Sequence, residues 1–175
     1  MRAKHLDGPV FLVGFMGAGK TVVGRELARR LDRSFEDTDA LAIAAAGAPI
    51  EAIFRERGEG RFREIEWDVL QDAARRSGTV VATGGGTFLG IAQRALIRER
   101  GTSIWLDAPF GVIASRLGDD VLRPLWASAD AIDRRAMFER RRAAYALADA
   151  TVDAGSGSVE AVARRAEMVL RSLCR

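Results

Sequence analysis

Cysteine is nearly absent from the chain: the one thiol, Cys174, stands next to the C-terminal residue of 175. No internal disulfide can form, which excludes a disulfide-stapled fold and fits a reducing compartment. Histidine is as scarce, with His5 alone in a polar N-terminal stretch, so catalysis by histidine is not expected. Long apolar runs are missing too. Nothing approaches the roughly 20 apolar residues of a membrane span, and residues 1–8 are polar where a signal peptide would need an apolar stretch. A cytoplasmic protein without membrane attachment is expected. Charge of one sign is in little excess, at +3, too small by itself to argue for a nucleic-acid partner. Aromatic residues make up only 7%. What is present, 48% hydrophobic and 29% charged residues of both signs, is an ordinary soluble composition. The length suits one domain over 1–175 with a proper core, and a monomer is expected because no exposed apolar face stands out.

Residues 14–21 read Gly-Phe-Met-Gly-Ala-Gly-Lys-Thr and follow the apolar run 10–13. A strand leading into G-x-x-x-x-G-K-[ST] and then a helix is the setting of a phosphate-binding P-loop. Gly14, Gly17 and Gly19 permit the turns that aim backbone N–H groups at a polyphosphate. The helix from Lys20 to about Arg30 adds its positive dipole end. Lys20 supplies a charge for the β/γ oxygens, and the Thr21 hydroxyl can ligate Mg²⁺. A nucleoside triphosphate is the expected ligand.

Short β-type runs at 10–14, 34–37, 79–82, 103–106 and 150–152 alternate with helical stretches. Such alternation predicts an α/β fold whose parallel sheet is covered on both faces. In the last helix, Val159, Val162, Ala166, Val169 and Leu173 form one stripe, with Ser158 as its N-cap. Residues 118–130 carry no regular period and read as a long mobile loop. Ligands of parallel sheets gather at the carboxyl ends of strands, and three such ends carry chemistry here. After the P-loop comes Asp37-Thr38-Asp39. One carboxylate can hold a water of a Mg²⁺ shell and the other can accept a proton from a substrate hydroxyl; Asp39 as a helix cap is an equal reading. The third end is Thr83-Gly84-Gly85-Gly86, where successive glycines suit a ligand's close approach, or else a flexible loop. Phe62-Arg63 begins a helix, Arg123 lies in the long loop, and Arg141 sits between Arg140 and Arg142, four residues before Tyr145. Arginine forks match carboxylates and stabilise a transferring phosphoryl group, although singly each also fits a solvated surface.

Taken together, these motifs resemble the shikimate kinase family. The resemblance runs from about Val10 to Val162 and includes the P-loop, Asp37-Thr38-Asp39, Ile53-Phe54 … Gly58-Glu59 … Phe62-Arg63 … Glu66, Thr83-Gly84-Gly85-Gly86, Arg123-Pro124-Leu125, Arg141 … Tyr145 and residues 148–152. It implies a nucleoside-monophosphate-kinase-type, three-layer P-loop fold with five parallel strands in order 2-3-1-4-5 and a lid at about 118–130. It also implies Mg²⁺-assisted transfer from ATP to the 3-hydroxyl of shikimate, on the route to chorismate. By motif, Gly17, Ala18, Gly19, Lys20, Thr21 and Val22 serve the nucleotide, with Arg116 against adenine and Arg123 from the lid over the phosphates. Lys20, Asp39 and Arg123 carry the chemistry, and Thr21 and Asp37 the metal. Asp39, Gly85 and Gly86 contact the substrate, and Arg63 and Arg141 grip its carboxylate.

The chain departs from the family pattern in places. Val22 follows Thr21 where a hydroxyl residue is usual, Ala143-Ala144 replaces a Pro-Leu pair, and no proline follows Asp153 to cover the adenine. No aspartate ends the third strand; Asp107 ends the fourth, where the nearby Pro109 suggests a helix cap. A kinase for gluconate or a nucleotide remains an alternative, although the Arg63–Arg141 pairing and the triple glycine favour shikimate. A non-catalytic ligand sensor is a further one; intact Lys20, Thr21, Asp37 and Asp39 speak against it.

Overall fold

A computed structural model of the protein describes residues 7–118 and 124–173. Five strands form one parallel sheet: β1 (Val10–Val13), β2 (Ser34–Asp37), β3 (Thr79–Ala82), β4 (Thr102–Asp107) and β5 (Ala150–Asp153), in the order β2-β3-β1-β4-β5. The expected topology is observed. β1 and β3 are buried at every position, as strands covered on both faces must be, whereas the edge strands β2 and β5 carry their polar residues half-exposed or exposed. The β1–β3 register sets Leu12 against Ala82, so the P-loop and the glycine segment leave the sheet side by side.

The helices are α1 (Lys20–Leu31), α2 (Thr38–Ala46), α3 (Ile50–Ala73), α4 (Ile91–Arg100), α5 (Phe110–Leu117), α6 (Pro124–Ala127), α7 (Ala131–Tyr145) and α8 (Val159–Leu173). The main core spans the sheet and these helices, and a second cluster of Ala42, Ile53, Phe62, Ile65 and Val69 joins α2 to α3. No helix among the described residues is long and apolar enough to cross a membrane.

Several local expectations are corrected. Phe62 does not begin a helix; α3 starts at Ile50 and breaks at Gly58, where φ is 78°, so the segment from Glu59 onward is its second half. The stripe of α8 is Val162, Ala163, Ala166 and Leu170, while Val159 and Leu173 at its ends are exposed. Ser158 does cap it, accepting the Ala161 amide at 3.3 Å. Residues 118–130 are not one long loop, because 124–127 form α6 and Trp126 is buried. Its ring packs edge-on against Phe15 of the P-loop, and its Nε1 donates to the Gly118 carbonyl at 2.9 Å. The rest of the expected lid, with Arg123, lies outside the described residues.

Candidate active site

Lys20 opens α1 and is buried, its Nζ donating to the carbonyls of Gly14 and Phe15 at 2.9 Å each. The ammonium is thus folded back over its own loop. One residue on, Thr21 Oγ1 donates to Asp37 Oδ2 at 2.7 Å. The other oxygen of Asp37 accepts the Asp39 amide at 2.9 Å. Asp37, not Asp39, therefore caps α2. The strand stays extended through Asp37 and the helix begins at once, which aims the Asp37 carboxylate at the amide two residues on. The Asp39 carboxylate lines a cleft instead.

That cleft is bounded by Met16 of the P-loop, Asp39, Arg63, the glycines 84–86 and Arg141, over an apolar floor of Phe54 and Phe62. Arg63 is held from two sides, by Glu66 Oε2 at 2.8 Å and Glu59 Oε1 at 2.9 Å. Burial works against its charge, but these carboxylates outweigh it and hold the pKa above the ordinary value. Glu66 is itself buried, and its other oxygen accepts from Thr87 Oγ1 at 2.8 Å. A carboxylate on the second half of α3 thereby joins Arg63 to the glycine segment.

The glycine segment is not a slack loop. The Gly84 amide donates to Thr38 Oγ1 at 2.9 Å, and the Gly85 carbonyl accepts from the Tyr145 hydroxyl at 2.5 Å. Side chains crowd its backbone: a Cβ on Gly84 would stand 2.6 Å from Glu66 Oε1, and one on Gly86 2.6 Å from an Arg63 guanidinium nitrogen. Gly86 has an ordinary φ of −96°, so only the Arg63 guanidinium, which would have to move, stands against a side chain there. Gly86→Ala is expected to push Arg63 aside and weaken the binding of an anion in the cleft about tenfold, with the melting temperature nearly kept. Unchanged anion binding would show that Arg63 is not held there for a purpose.

The triple arginine divides. Arg141 lines the cleft, its guanidinium 5.5 Å from the centre of the Phe15 ring. Arg142 turns to the sheet, bonding both oxygens of Asp107 at 3.2 and 3.1 Å and stacking over Trp105. Asp107 is accordingly an ion-pair partner and not a helix cap; Pro109 holds the N-cap position of α5. Arg140 borders a neighbouring cavity with Glu59 and Met137.

On the other side of the P-loop, Arg116 donates to the carbonyls of Gly17 and Ala154, each at 3.2 Å. It edges a second pocket together with Ala18, Gly19, Val22, Ala154 and Gly157. The sequence reading assigned no role to Glu66 or Thr38, and it placed the segment after Asp153 near the adenine only by the family's missing proline. Glu66 carries one legible signal, an acid three residues from Arg63 on a helix; Thr38 is brought in only by the sheet order.

Tyr145 is buried, and burial pushes its pKa up to about 12 against a smaller opposing pull from Arg141. A neutral group whose pKa rises on folding contributes stability that is whole below pH 10 and lost as pH climbs toward 12. Over that window the protein should lose roughly 3 kcal/mol more than its Tyr145→Phe variant, read by urea unfolding at stepped pH. Equal losses would place the phenol in water.

The chain is similar to known proteins along most of its length. The model of the family described as shikimate kinase matches residues 16–171. The chain belongs to the shikimate kinase family. The shikimate kinase of Geobacter sulfurreducens is 46% identical over 154 residues, spanning 87% of this chain and 85% of that protein. The shikimate kinase of Moorella thermoacetica is 38% identical across 95% of this chain and 96% of its own length. The solved structure of shikimate kinase from Acinetobacter baumannii in complex with shikimate superposes with a TM-score of 0.90 at 33% identity, covering 95% of this chain and 94% of that one. Family membership makes the chain an enzyme, a kinase.

Proposed function

We propose that the cleft between Asp39 and Arg141 takes shikimate, and that the P-loop presents the γ-phosphoryl group of ATP to its 3-hydroxyl. ATP-dependent phosphorylation of shikimate in aromatic biosynthesis is the family's reaction; the residue roles are our reading. One observation carries it: a carboxylate and two arginines border a single cleft that shares Met16 with the P-loop. The arginines suit the substrate's carboxylate, and the aspartate suits its hydroxyls.

In this reading Asp39 accepts the proton of the attacking hydroxyl. Lys20 leaves the Gly14 and Phe15 carbonyls to reach the β/γ oxygens. Gly17, Ala18, Gly19 and Val22 wrap the phosphates, Arg116 borders the adenine, and Arg123 covers the phosphates, as the resemblance implies. The paired oxygens of Thr21 and Asp37, 2.7 Å apart at the mouth of the P-loop, fit Mg²⁺, which takes few carboxylates and completes its shell with phosphate and water. Bound there, Mg²⁺ would neutralise charge on the transferring group. The chain would work as one domain, as a monomer, in the cytoplasm.

The test is ADP release by the purified protein with Mg·ATP and shikimate, with gluconate and nucleoside monophosphates as controls. Release that depends on shikimate alone is expected. Shikimate binding with no ADP formed would indicate a sensor, and a response to gluconate instead would reassign the cleft.

A further inference from the structure

The two arginines that border the cleft come from opposite sides, Arg63 on α3 and Arg141 on α7. Two guanidiniums grip one carboxylate only if their spacing is held to a fraction of an ångström, because charge-assisted hydrogen bonds are short and directional. Both lead back to one stretch of backbone. Arg63 rests against Gly86, close enough to exclude a Cβ. Arg141 stands on α7 one turn before Tyr145, and the Tyr145 hydroxyl donates to the carbonyl of Gly85 at 2.5 Å. Adjacent glycines thus touch one arginine directly and, through a tyrosine, the helix that carries the other. The phenol cannot drift: it is buried, with its ring 6.1 Å from that of Trp105 on the central sheet. The glycine segment is anchored in turn at the Gly84 amide by Thr38.

We infer that Tyr145 is a positioning residue whose hydroxyl pins the last turns of α7, which carry Arg141, to the Gly85 carbonyl, so that the glycine segment sets the spacing of Arg141 and Arg63 and with it the affinity for the acceptor carboxylate. This rests on the assignment of Arg141 to that carboxylate.

Tyr145→Phe keeps the ring and removes the strut. The KM for shikimate should rise about tenfold, the upper end of what one lost hydrogen bond is worth. The KM for ATP should stay put, and kcat should fall much less than KM rises. A structural role alone would move both KM values together or neither. Arg141→Ala and the double variant complete a cycle. If Tyr145 acts through Arg141, the double variant should be no worse for shikimate than Arg141→Ala alone. Additive losses, or an unchanged shikimate KM in Tyr145→Phe, would overturn the inference. An unchanged KM in Arg141→Ala would instead overturn the assignment on which it rests, so the two failures are distinguishable. Should Tyr145→Phe fold poorly, the wild-type protein offers another readout. Tyr145 is the one tyrosine of the chain, so 3-fluorotyrosine labelling gives a single fluorine resonance. Shikimate should shift it strongly and ADP hardly at all; a resonance unmoved by saturating shikimate would also sink the proposal.

Discussion

Asp39→Asn should lower kcat about 10²–10⁴-fold, the usual worth of a positioned general base, while ATP binding changes little. The substitution keeps volume and shape and removes the basic oxygen. The first turn of α2 should survive, because the capping bond there runs from the Asp39 backbone amide to Asp37 and does not involve the Asp39 side chain. The two carboxylates are therefore separable: Asp37 is engaged with Thr21 and with the cap, whereas Asp39 borders the cleft beside Gly84. Steady-state kinetics and calorimetric titration with ATP read the two effects apart. Turnover close to wild type would remove Asp39 from the chemistry, and a parallel loss of ATP affinity would make it a structural part of the nucleotide site.

Trp126→Ala should destabilise the fold by about 3–5 kcal/mol, the range for truncating a buried aromatic residue. For a chain of this size that corresponds to a melting temperature lower by roughly 10 °C. The indole is among the largest fully buried side chains. It contacts Phe15 of the P-loop and Phe110 of α5, lies under the Arg134 guanidinium at 4.7 Å, and bonds Gly118. Trp126→Phe should restore part of the loss, since it keeps an aromatic ring and forfeits the bond to Gly118. A melting curve for the alanine variant that overlays the wild type would contradict the burial. The position matters beyond stability, because the indole joins Gly118 at the start of the expected lid to the turn that carries Phe15.

The parallel sheet and its helices were legible because period and punctuation are local. Short runs such as Val10–Val13 before Gly14 and 103–106 before Asp107 marked strands, and the P-loop announced its own flanks. Legibility failed where an element depends on distant partners. Trp126 stands in a polar, aperiodic stretch, and Phe15 and Phe110, distant in the chain, help to give it a place to bury. Gly58 breaks α3 without ending it, so a boundary drawn from residues near Phe62 alone fell in the middle of the helix. Asp107 beside Pro109 has the local look of a cap, but Arg142, 35 residues later, claims it.

By itself, the sequence determined the P-loop and the residue types gathered at the carboxyl edge, because those follow from motif spacing and short-range periodicity; the strand order came only as what the family resemblance implies. It could not say which of three adjacent arginines faces the cleft, which of two aspartates caps α2, or what holds the glycine segment in place. The tertiary structure decided these. Neighbouring positions on a helix differ by about 100°, so only packing against the sheet fixes which of them points inward. Likewise, only the tertiary fold brings Thr38, Glu66 and Tyr145, far apart in the chain, against the same few glycines.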